Sequence, residues 1–170
     1  IRDAKVLADD LKVPLVSSQP QYSLLWRVIE EEVVPTCEEL GISQIVWSPL
    51  AQGVLTGKYQ PGEEPPDGSR ATDEAGGKNM ISRWMNDDVL TAVQQVSALA
   101  DEAGLTMANM ALAWVLRNPN VASAIVGASR ADQVTRIVEA VDITLDDDLV
   151  AQVEAILEPV SISDAKRTLK

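Results

Sequence analysis

Histidine and phenylalanine are absent from this sequence, and cysteine occurs once, at Cys37. A chain without histidine lacks the commonest metal ligand in proteins, so we assign no metal site. A single cysteine excludes an internal disulfide and is typical of a reducing compartment. No apolar run approaches the roughly 20 residues of a membrane span, and no signal segment is recognisable. These absences predict a soluble, cytoplasmic protein.

Positive charge is also scarce, because 14 Lys and Arg residues stand against 26 Asp and Glu, a formal net charge of -12. Such a surface repels nucleic acid and anionic membranes, so an anionic ligand must meet a local cluster of cations. With 46% hydrophobic residues among 170, the chain has enough apolar material for one core. It opens at Ile1 with a helical pattern and no start signal, so we expect it to be part of a longer protein.

Apolar periodicity predicts strands that alternate with helices. Three apolar runs are predicted to be strands: "PLVSS" (14–18), "SQIVWSPL" (43–50) and "VASAIVGAS" (121–129). The third of these strands is expected to be buried. The helices are amphipathic stretches: 1–13, 28–41, 89–103, 107–118, 131–141 and 145–157. Gly41 and Gly104 are predicted to end helices, Thr106 to cap one, and the Gly/Pro-rich stretch 60–77 to form an exposed loop.

Alternating strands and helices favour a parallel sheet, either doubly wound or part of a barrel. In both architectures, ligands bind at the carboxyl ends of the strands. The segments to inspect are therefore "SSQPQY" (17–22), "WSPLAQG" (47–53) and "GASRADQ" (127–133). In the third, a small-residue turn enters a helix, which leaves amide N–H groups for a phosphate, with Ser129, Arg130 and Gln133 as further donors.

Each of these features also has a purely structural interpretation. Polar residues at 19–22 can serve the backbone of a loop, and Trp47 at a strand end is more often core than stacking platform. Lys58 and Arg70 are more often solvated surface charges. Together, the tryptophan, the small-residue loop, the cations and the helix N-terminus form a plausible cradle for an aromatic, phosphate-bearing ligand.

The segment "WSPLAQGVLTGKY" (47–59), with "QPQYSLL" (19–25) before it and "ALAWVLRNPNVASAIVGASRADQV" (111–134) after it, resembles the C-terminal part of an aldo-keto reductase. The resemblance runs from about Pro14 to Leu157. It is strongest to the branch that contains the voltage-gated potassium channel β subunits and many bacterial NADPH-dependent reductases. It implies a (β/α)8 barrel of the TIM type, of which residues 1–160 supply about three strand-helix units and a terminal helix, followed by a polar tail at 161–170.

The resemblance also implies a binding site for NADPH. In the family, the ring at the position of Trp47 stacks on the nicotinamide, and Gln19 hydrogen-bonds its carboxamide. The backbone of the following loop and Lys58 wrap the ribose and pyrophosphate, and Arg70 with Ser129 contacts the 2′-phosphate. Gln133 matches an adenosine contact. The implied cofactor-binding residues are Gln19, Trp47, Ser48, Pro49, Leu50, Ala51, Gln52, Gly53, Lys58, Arg70, Gly127, Ser129, Arg130 and Gln133.

Two departures from the family pattern qualify this inference. Arg136 and Ile137 stand where the family has a Glu-Asn pair against the adenine, so no adenine contact is carried over to these two positions. The family reduces carbonyls with a tetrad of Asp, Tyr, Lys and His in its N-terminal half. Since this chain has no histidine, we expect that half to be absent and assign no catalytic residue. Tyr22 and Tyr59 belong to later motifs.

The residues and the resemblance are compatible with three functional hypotheses. The first is an NADPH-dependent reductase of small aldehydes or ketones, represented by its cofactor-binding part and inactive without the other half. The second is a non-catalytic NADP-binding regulatory subunit like the channel β subunits. The third is a half-barrel that binds partners and no cofactor. Open sheet edges in such a fragment predict aggregation, assembly into a homo-oligomer or dependence on the missing half.

Overall fold

The computed structural model describes residues 1–166. Seven α-helices are present in this range: α1 (Arg2–Asp10), α2 (Val33–Leu40), α3 (Gly77–Ile81), α4 (Asp87–Glu102), α5 (Met107–Leu116), α6 (Ala131–Val138) and α7 (Asp147–Leu157). The strands are β1 (Ser17–Ser18), β2 (Ser43–Trp47) and β3 (Val121–Ile125). Short 3-10 turns occupy Ala51–Thr56, Arg70–Thr72, Ser82–Trp84 and Glu139–Asp142. None of the helices within residues 1–166 has the length and apolar character needed to cross a bilayer.

The three strands form one parallel sheet in the order β1-β2-β3. Ser17 pairs with Ser43 at one end of the register, and Trp47 pairs with Ile125 at the other. Parallel neighbours require a crossover, which α2 provides between β1 and β2 and α3 to α5 provide between β2 and β3. The predicted alternation of strands and helices is therefore confirmed. The carboxyl ends of all three strands lie at the same edge.

Local signals set several helix ends as expected. The Thr106 side chain accepts a hydrogen bond from the Asn109 backbone N–H at 3.1 Å and so caps α5. Gly41 (φ 67°) and Gly104 (φ 72°) adopt the left-handed conformation just after α2 and α4. These three predictions are confirmed.

The core lies around α5, where eight of ten residues are buried: Met107, Asn109, Met110, Ala111, Leu112, Ala113, Trp114 and Val115. This helix packs against β3, α4, α6 and the Ala51–Thr56 turn. Buried residues of α4 and α7 complete the apolar cluster. The strand-end loops are thus built on a rigid, densely buried scaffold.

Two predictions about individual elements are wrong. Strand β3 is not buried, because it lies at the open edge of the sheet and exposes Ala122, Ser123 and Ile125. Helix α2 begins at Val33 rather than at residue 28. The residues before it form turns, in which Glu30 accepts hydrogen bonds from the side chains of Tyr22 and Arg27.

Both outer sides of the sheet carry exposed apolar side chains. One group belongs to α1 and the chain leading to β1: Val6, Leu7, Leu11, Val13 and Val16. The other belongs to β3, α6 and the turn after it: Ile125, Val134, Val138 and Val141. The open edges expected from the sequence are therefore present within residues 1–166.

The start of the predicted polar tail packs against the rest of the chain. Ser161 is buried, and the Ile162 backbone N–H donates to the Leu25 carbonyl at 2.9 Å. The Arg27 N–H donates to the Ile162 carbonyl at 2.7 Å. Residues 167–170, which belong to the same predicted tail, lie outside the described residues.

Candidate functional site

The loops predicted to form a site begin at one edge of the sheet. The Trp47 N–H donates to the Pro20 carbonyl at 3.0 Å, and the Tyr22 N–H donates to the Trp47 carbonyl at 3.2 Å. The chain after β1 therefore runs beside the end of β2 and carries Gln19, which is exposed. Because Trp47 is also in register with Ile125, the segments 17–22, 47–53 and 127–133 start from neighbouring strand ends.

Trp47 is not a core residue. The Trp47 side chain is 40% exposed, whereas its neighbours Val46 and Pro49 are buried. Within residues 1–166, Trp47 therefore does not belong to the core. An indole that remains open to solvent at a strand end offers a flat apolar surface on which a planar ring can stack.

The loop after Trp47 has an unusual backbone. Ser48 (φ 54°), Ala51 (φ 45°) and Gln52 (φ 57°) all adopt positive φ, and Gly53 follows at 100°. A non-glycine residue in this region costs about 1–2 kcal/mol, so three within five positions store strain that the surrounding packing must hold. Strain of this kind is concentrated at ligand-binding and active sites.

Hydrogen bonds between side chains link this loop to a distant residue. The Gln52 Nε2 donates to Ser48 Oγ at 2.7 Å, and the Trp84 indole N–H donates to Gln52 Oε1 at 3.2 Å. Trp84 is buried and belongs to the Ser82–Trp84 turn, 32 residues along the chain. The conformation of the loop is thus fixed from outside the loop.

Lys58 lies against the same loop. A Cβ atom built on Gly53 would stand 3.6 Å from Lys58 Nζ, and Nζ lies 5.0 Å from the centre of the Tyr59 ring. Lys58 is exposed, while Tyr59 is buried beneath it. The ammonium group is therefore held beside the glycine yet remains accessible to an anion.

Arg70 is carried by a turn that packs against α3, and α3 also packs against the Ala51–Thr56 turn. Its side chain is exposed. The contact with α3 is close, since a Cβ on Gly77 would lie 2.9 Å from the Arg70 carbonyl oxygen and 2.6 Å from Asp73 Oδ2. Glycine at position 77 therefore allows α3 to approach the turn that presents Arg70.

Ser69, next to Arg70, has a hydroxyl that is buried without a hydrogen-bond partner within residues 1–166. Buried polar atoms without partners are uncommon in folded proteins, and a water molecule, an ion or a ligand can complete such an atom. Sequence reasoning missed Ser69, although it directly precedes Arg70. It also gave Trp84 no role in a site, since no local pattern signals a contact with Gln52.

The start of α6 is capped by its own side chains. Gln133 Oε1 accepts hydrogen bonds from the Ser129 N–H (2.8 Å), the Ser129 hydroxyl (3.2 Å) and the Arg130 N–H (3.1 Å). Arg130 pairs with Asp132 at 2.9 Å, and Asp132 also pairs with Arg136 at 2.7 Å. Hydrogen bonding from Arg130 lowers the pKa of Asp132. An anion at this helix start must therefore compete with partners already present.

A separate cavity of about 430 Å³ lies between α2, α5 and α7. Its polar wall is a network in which Tyr22 donates to Glu30 at 2.8 Å and the Trp114 indole donates to Glu154 at 2.9 Å. Arg27 bridges Glu30 and Glu154. Burial, followed by the nearby Glu30 charge, raises the pKa of Tyr22. The structural interpretation of Tyr22 is therefore the better one, since its hydroxyl stabilises the packing of the loop.

Comparison with known proteins places this fold and these loops in a family. The model of the aldo/keto reductase family matches residues 1–158. A probable voltage-gated potassium channel subunit beta from Arabidopsis thaliana is 44% identical over 79% of this chain and 40% of its own length. An L-glyceraldehyde 3-phosphate reductase from Escherichia coli O157:H7 is 34% identical over 87% of this chain and 43% of its own length.

The structural comparison agrees. A glycerol dehydrogenase from Gluconobacter oxydans superimposes with a TM-score of 0.68 and 26% identity, over 88% of this chain and 45% of that chain. The chain therefore spans less than half of the length of these curated relatives. The sheet and its helices form part of a (β/α)8 barrel, as the sequence resemblance implied. The chain belongs to the aldo/keto reductase family.

Proposed function

We propose that this chain supplies the cofactor-binding part of an oxidoreductase that uses NADPH to reduce a small aldehyde or ketone. The observation that carries the proposal is the exposed Trp47 at the carboxyl end of β2, followed by a loop with strained backbone and two accessible cations, Lys58 and Arg70. The arrangement offers a stacking surface, small residues for close approach and positive charge within an otherwise acidic chain.

The residues present fit a nicotinamide dinucleotide. Trp47 offers its face to the nicotinamide ring, and Gln19 reaches the carboxamide from the adjoining loop. The loop Ser48, Pro49, Leu50, Ala51, Gln52 and Gly53, with Lys58, lies along the ribose and pyrophosphate. Arg70 and Ser129 bind the 2′-phosphate, which also gives the buried Ser69 hydroxyl the acceptor that it lacks within residues 1–166. Gly127, Arg130 and Gln133 line the adenosine side.

NADPH, when bound, supplies the hydride that reduces the carbonyl carbon. This chain's contribution is to hold and orient the nicotinamide, exclude water from one face of it and neutralise the phosphates. A proton donor for the carbonyl oxygen is also required, and we assign it to the N-terminal part of the barrel that the relatives contain beyond the matched region. That part is the main partner of the surface formed by the open sheet edges.

A regulatory role is the second candidate. The relatives from Arabidopsis thaliana and Oryza sativa, 44% and 38% identical, are named as probable voltage-gated potassium channel subunits beta. A protein of that kind would bind NADPH through the same residues and act through a partner protein. The cytoplasmic location predicted from the sequence suits either role and stays a prediction.

The test uses the complete protein that contains this chain. Calorimetric titration with NADPH is expected to give one site per chain, and a panel of aldehydes and ketones is expected to accelerate oxidation of NADPH in the presence of the protein. Binding without turnover of any carbonyl compound would favour the regulatory role. Absence of NADPH binding would overturn both.

A further inference from the structure

The hydrogen bonds from Trp84 through Gln52 to Ser48 have a fixed direction. An indole N–H donates and does not accept, so the Gln52 amide must turn its oxygen to Trp84. The amide nitrogen, which only donates, then faces Ser48. The Ser48 oxygen is therefore an acceptor within this chain of bonds, and its own hydrogen is left to donate elsewhere. If the Gln52 amide were turned over, its nitrogen would face the Trp84 indole N–H, and two donors would oppose each other.

The indole that sets this direction is held firmly. Trp84 is 3% exposed, and its ring meets Trp26 edge to face, with ring centres 6.4 Å apart. The Arg83 guanidinium lies over the Trp26 ring, 4.9 Å from the centre of that ring. Burial and ring packing restrict rotation of the indole, so its N–H is a fixed reference to which the Gln52 side chain adapts.

Ser48, at which these hydrogen bonds end, lies in the most strained part of the candidate site. Ser48 and Gln52 both have positive φ, and Ser48 directly follows Trp47. Because the Ser48 oxygen accepts from Gln52, the hydroxyl hydrogen points away from Gln52 and is suited to an acceptor-rich group. Phosphate oxygens accept and never donate at neutral pH, and a donor at this position helps to offset the repulsion from a chain of net charge -12.

We propose that Trp84 is a positioning residue for the cofactor loop: through Gln52 it orients the Ser48 hydroxyl as a hydrogen-bond donor to a pyrophosphate oxygen of the bound dinucleotide. Trp84 itself does not touch the ligand. The inference rests on the proposed function, because it assigns a role within the same binding loop. It adds a residue from outside the loop and a defined direction for each hydrogen bond.

A double-mutant cycle on the complete protein tests this role. Calorimetry with NADPH is carried out for the wild type, Trp84→Phe, Ser48→Ala and the double variant. Loss of the oriented hydroxyl is expected to weaken NADPH binding roughly three- to tenfold in either single variant. Because both variants remove the same interaction, the double variant should bind no more than about twofold more weakly than Ser48→Ala alone.

Two further variants separate positioning from packing. Trp26→Phe alters the same aromatic cluster without removing the indole N–H that reaches Gln52, and it should change NADPH binding less than about twofold. Gln52→Met interrupts the bonds without altering the cluster, and it should show the same loss of roughly three- to tenfold. This variant keeps the test available if Trp84→Phe fails to fold. Adenosine 2′-monophosphate, which lacks the pyrophosphate, should bind all folded variants as it binds the wild type.

The outcomes distinguish the two proposals. If the wild type does not bind NADPH, the proposed function is wrong and the role of Trp84 falls with it. If the wild type binds, but Trp84→Phe and Gln52→Met bind equally well, Trp84 is only a packing residue. Additive losses in the cycle would also overturn the inference, since they would show that Trp84 acts independently of Ser48.

Discussion

Removal of the Arg70 guanidinium is expected to change the choice between NADPH and NADH. The two cofactors differ by the 2′-phosphate, and we place that group at Arg70 and Ser129. A guanidinium forms paired, charge-assisted hydrogen bonds with a phosphate, each worth about 1.5–3 kcal/mol when well formed. NADH lacks the phosphate and gains nothing from them. Arg70→Ala should therefore weaken NADPH binding and leave NADH binding nearly unchanged.

The magnitude follows from the surroundings of Arg70. Its side chain is exposed, so solvent and salt screen the pair, and the expected total loss is about 1.5–3 kcal/mol rather than the sum of two full bonds. That loss is roughly a 10- to 150-fold increase in the Kd for NADPH. Arg130 already pairs with Asp132 at 2.9 Å, so Arg130→Ala should have the smaller effect.

The assay is the Kd of both cofactors for the complete protein at one fixed salt concentration. Arg83→Ala is the control for net charge, because it also removes one cation but takes it from the face of the Trp26 ring. It should change the Kd of NADPH and of NADH to the same small extent. An equal loss of both cofactors in Arg70→Ala would refute the assignment, because it would mean that Arg70 supports the loop or the pyrophosphate.

Three further predictions address the fragment, the packing and the pH dependence. The 170-residue chain alone should reduce no aldehyde, because it has no histidine and we assign no proton donor within residues 1–166; steady turnover by the purified fragment would contradict this. Gly77→Ala should lower the free energy of unfolding by about 1–3 kcal/mol in urea titrations, since its Cβ would stand 2.9 Å from the Arg70 carbonyl oxygen. Gly127→Ala, with nothing within 4 Å of the added atom, is the control and should be nearly neutral. The pKa of Tyr22 is raised by burial and by Glu30, so the stability that it contributes is complete below its ordinary value near 10 and is lost as the pH rises. Between about pH 9 and 11 the wild type should lose more stability than Tyr22→Phe, and parallel curves would show that Tyr22 is not responsible.

Much of the fold could be predicted because its signals are local. The left-handed conformation after α2 and α4 requires little more than glycine at positions 41 and 104. The cap of α5 requires only that the Thr106 hydroxyl lie three residues before the Asn109 backbone N–H that donates to it. The placement of Trp47, Gln19 and the 127–133 segment at one edge follows from parallel pairing.

Other features depend on contacts that a single sequence does not reveal. Strand β3 has the apolar composition of a buried strand, but its burial depends on which strands lie beside it. The sequence predicts that Gln133 donates to a ligand. In the structure, its side-chain oxygen instead accepts hydrogen bonds from the backbone N–H groups of Ser129 and Arg130. The contact between Trp84 and Gln52 joins residues 32 positions apart and has no periodic signature.

The most direct test of the central claim is the tryptophan fluorescence of the complete protein during titration with NADPH. Of the four tryptophans, Trp47 alone is exposed within residues 1–166, so a nicotinamide ring stacked on it should quench its emission. We predict that Trp47→Ala abolishes most of the quench and weakens binding by roughly 1–3 kcal/mol. Trp114→Phe, a buried control, should retain the quench. An unchanged quench and Kd in Trp47→Ala would contradict the account.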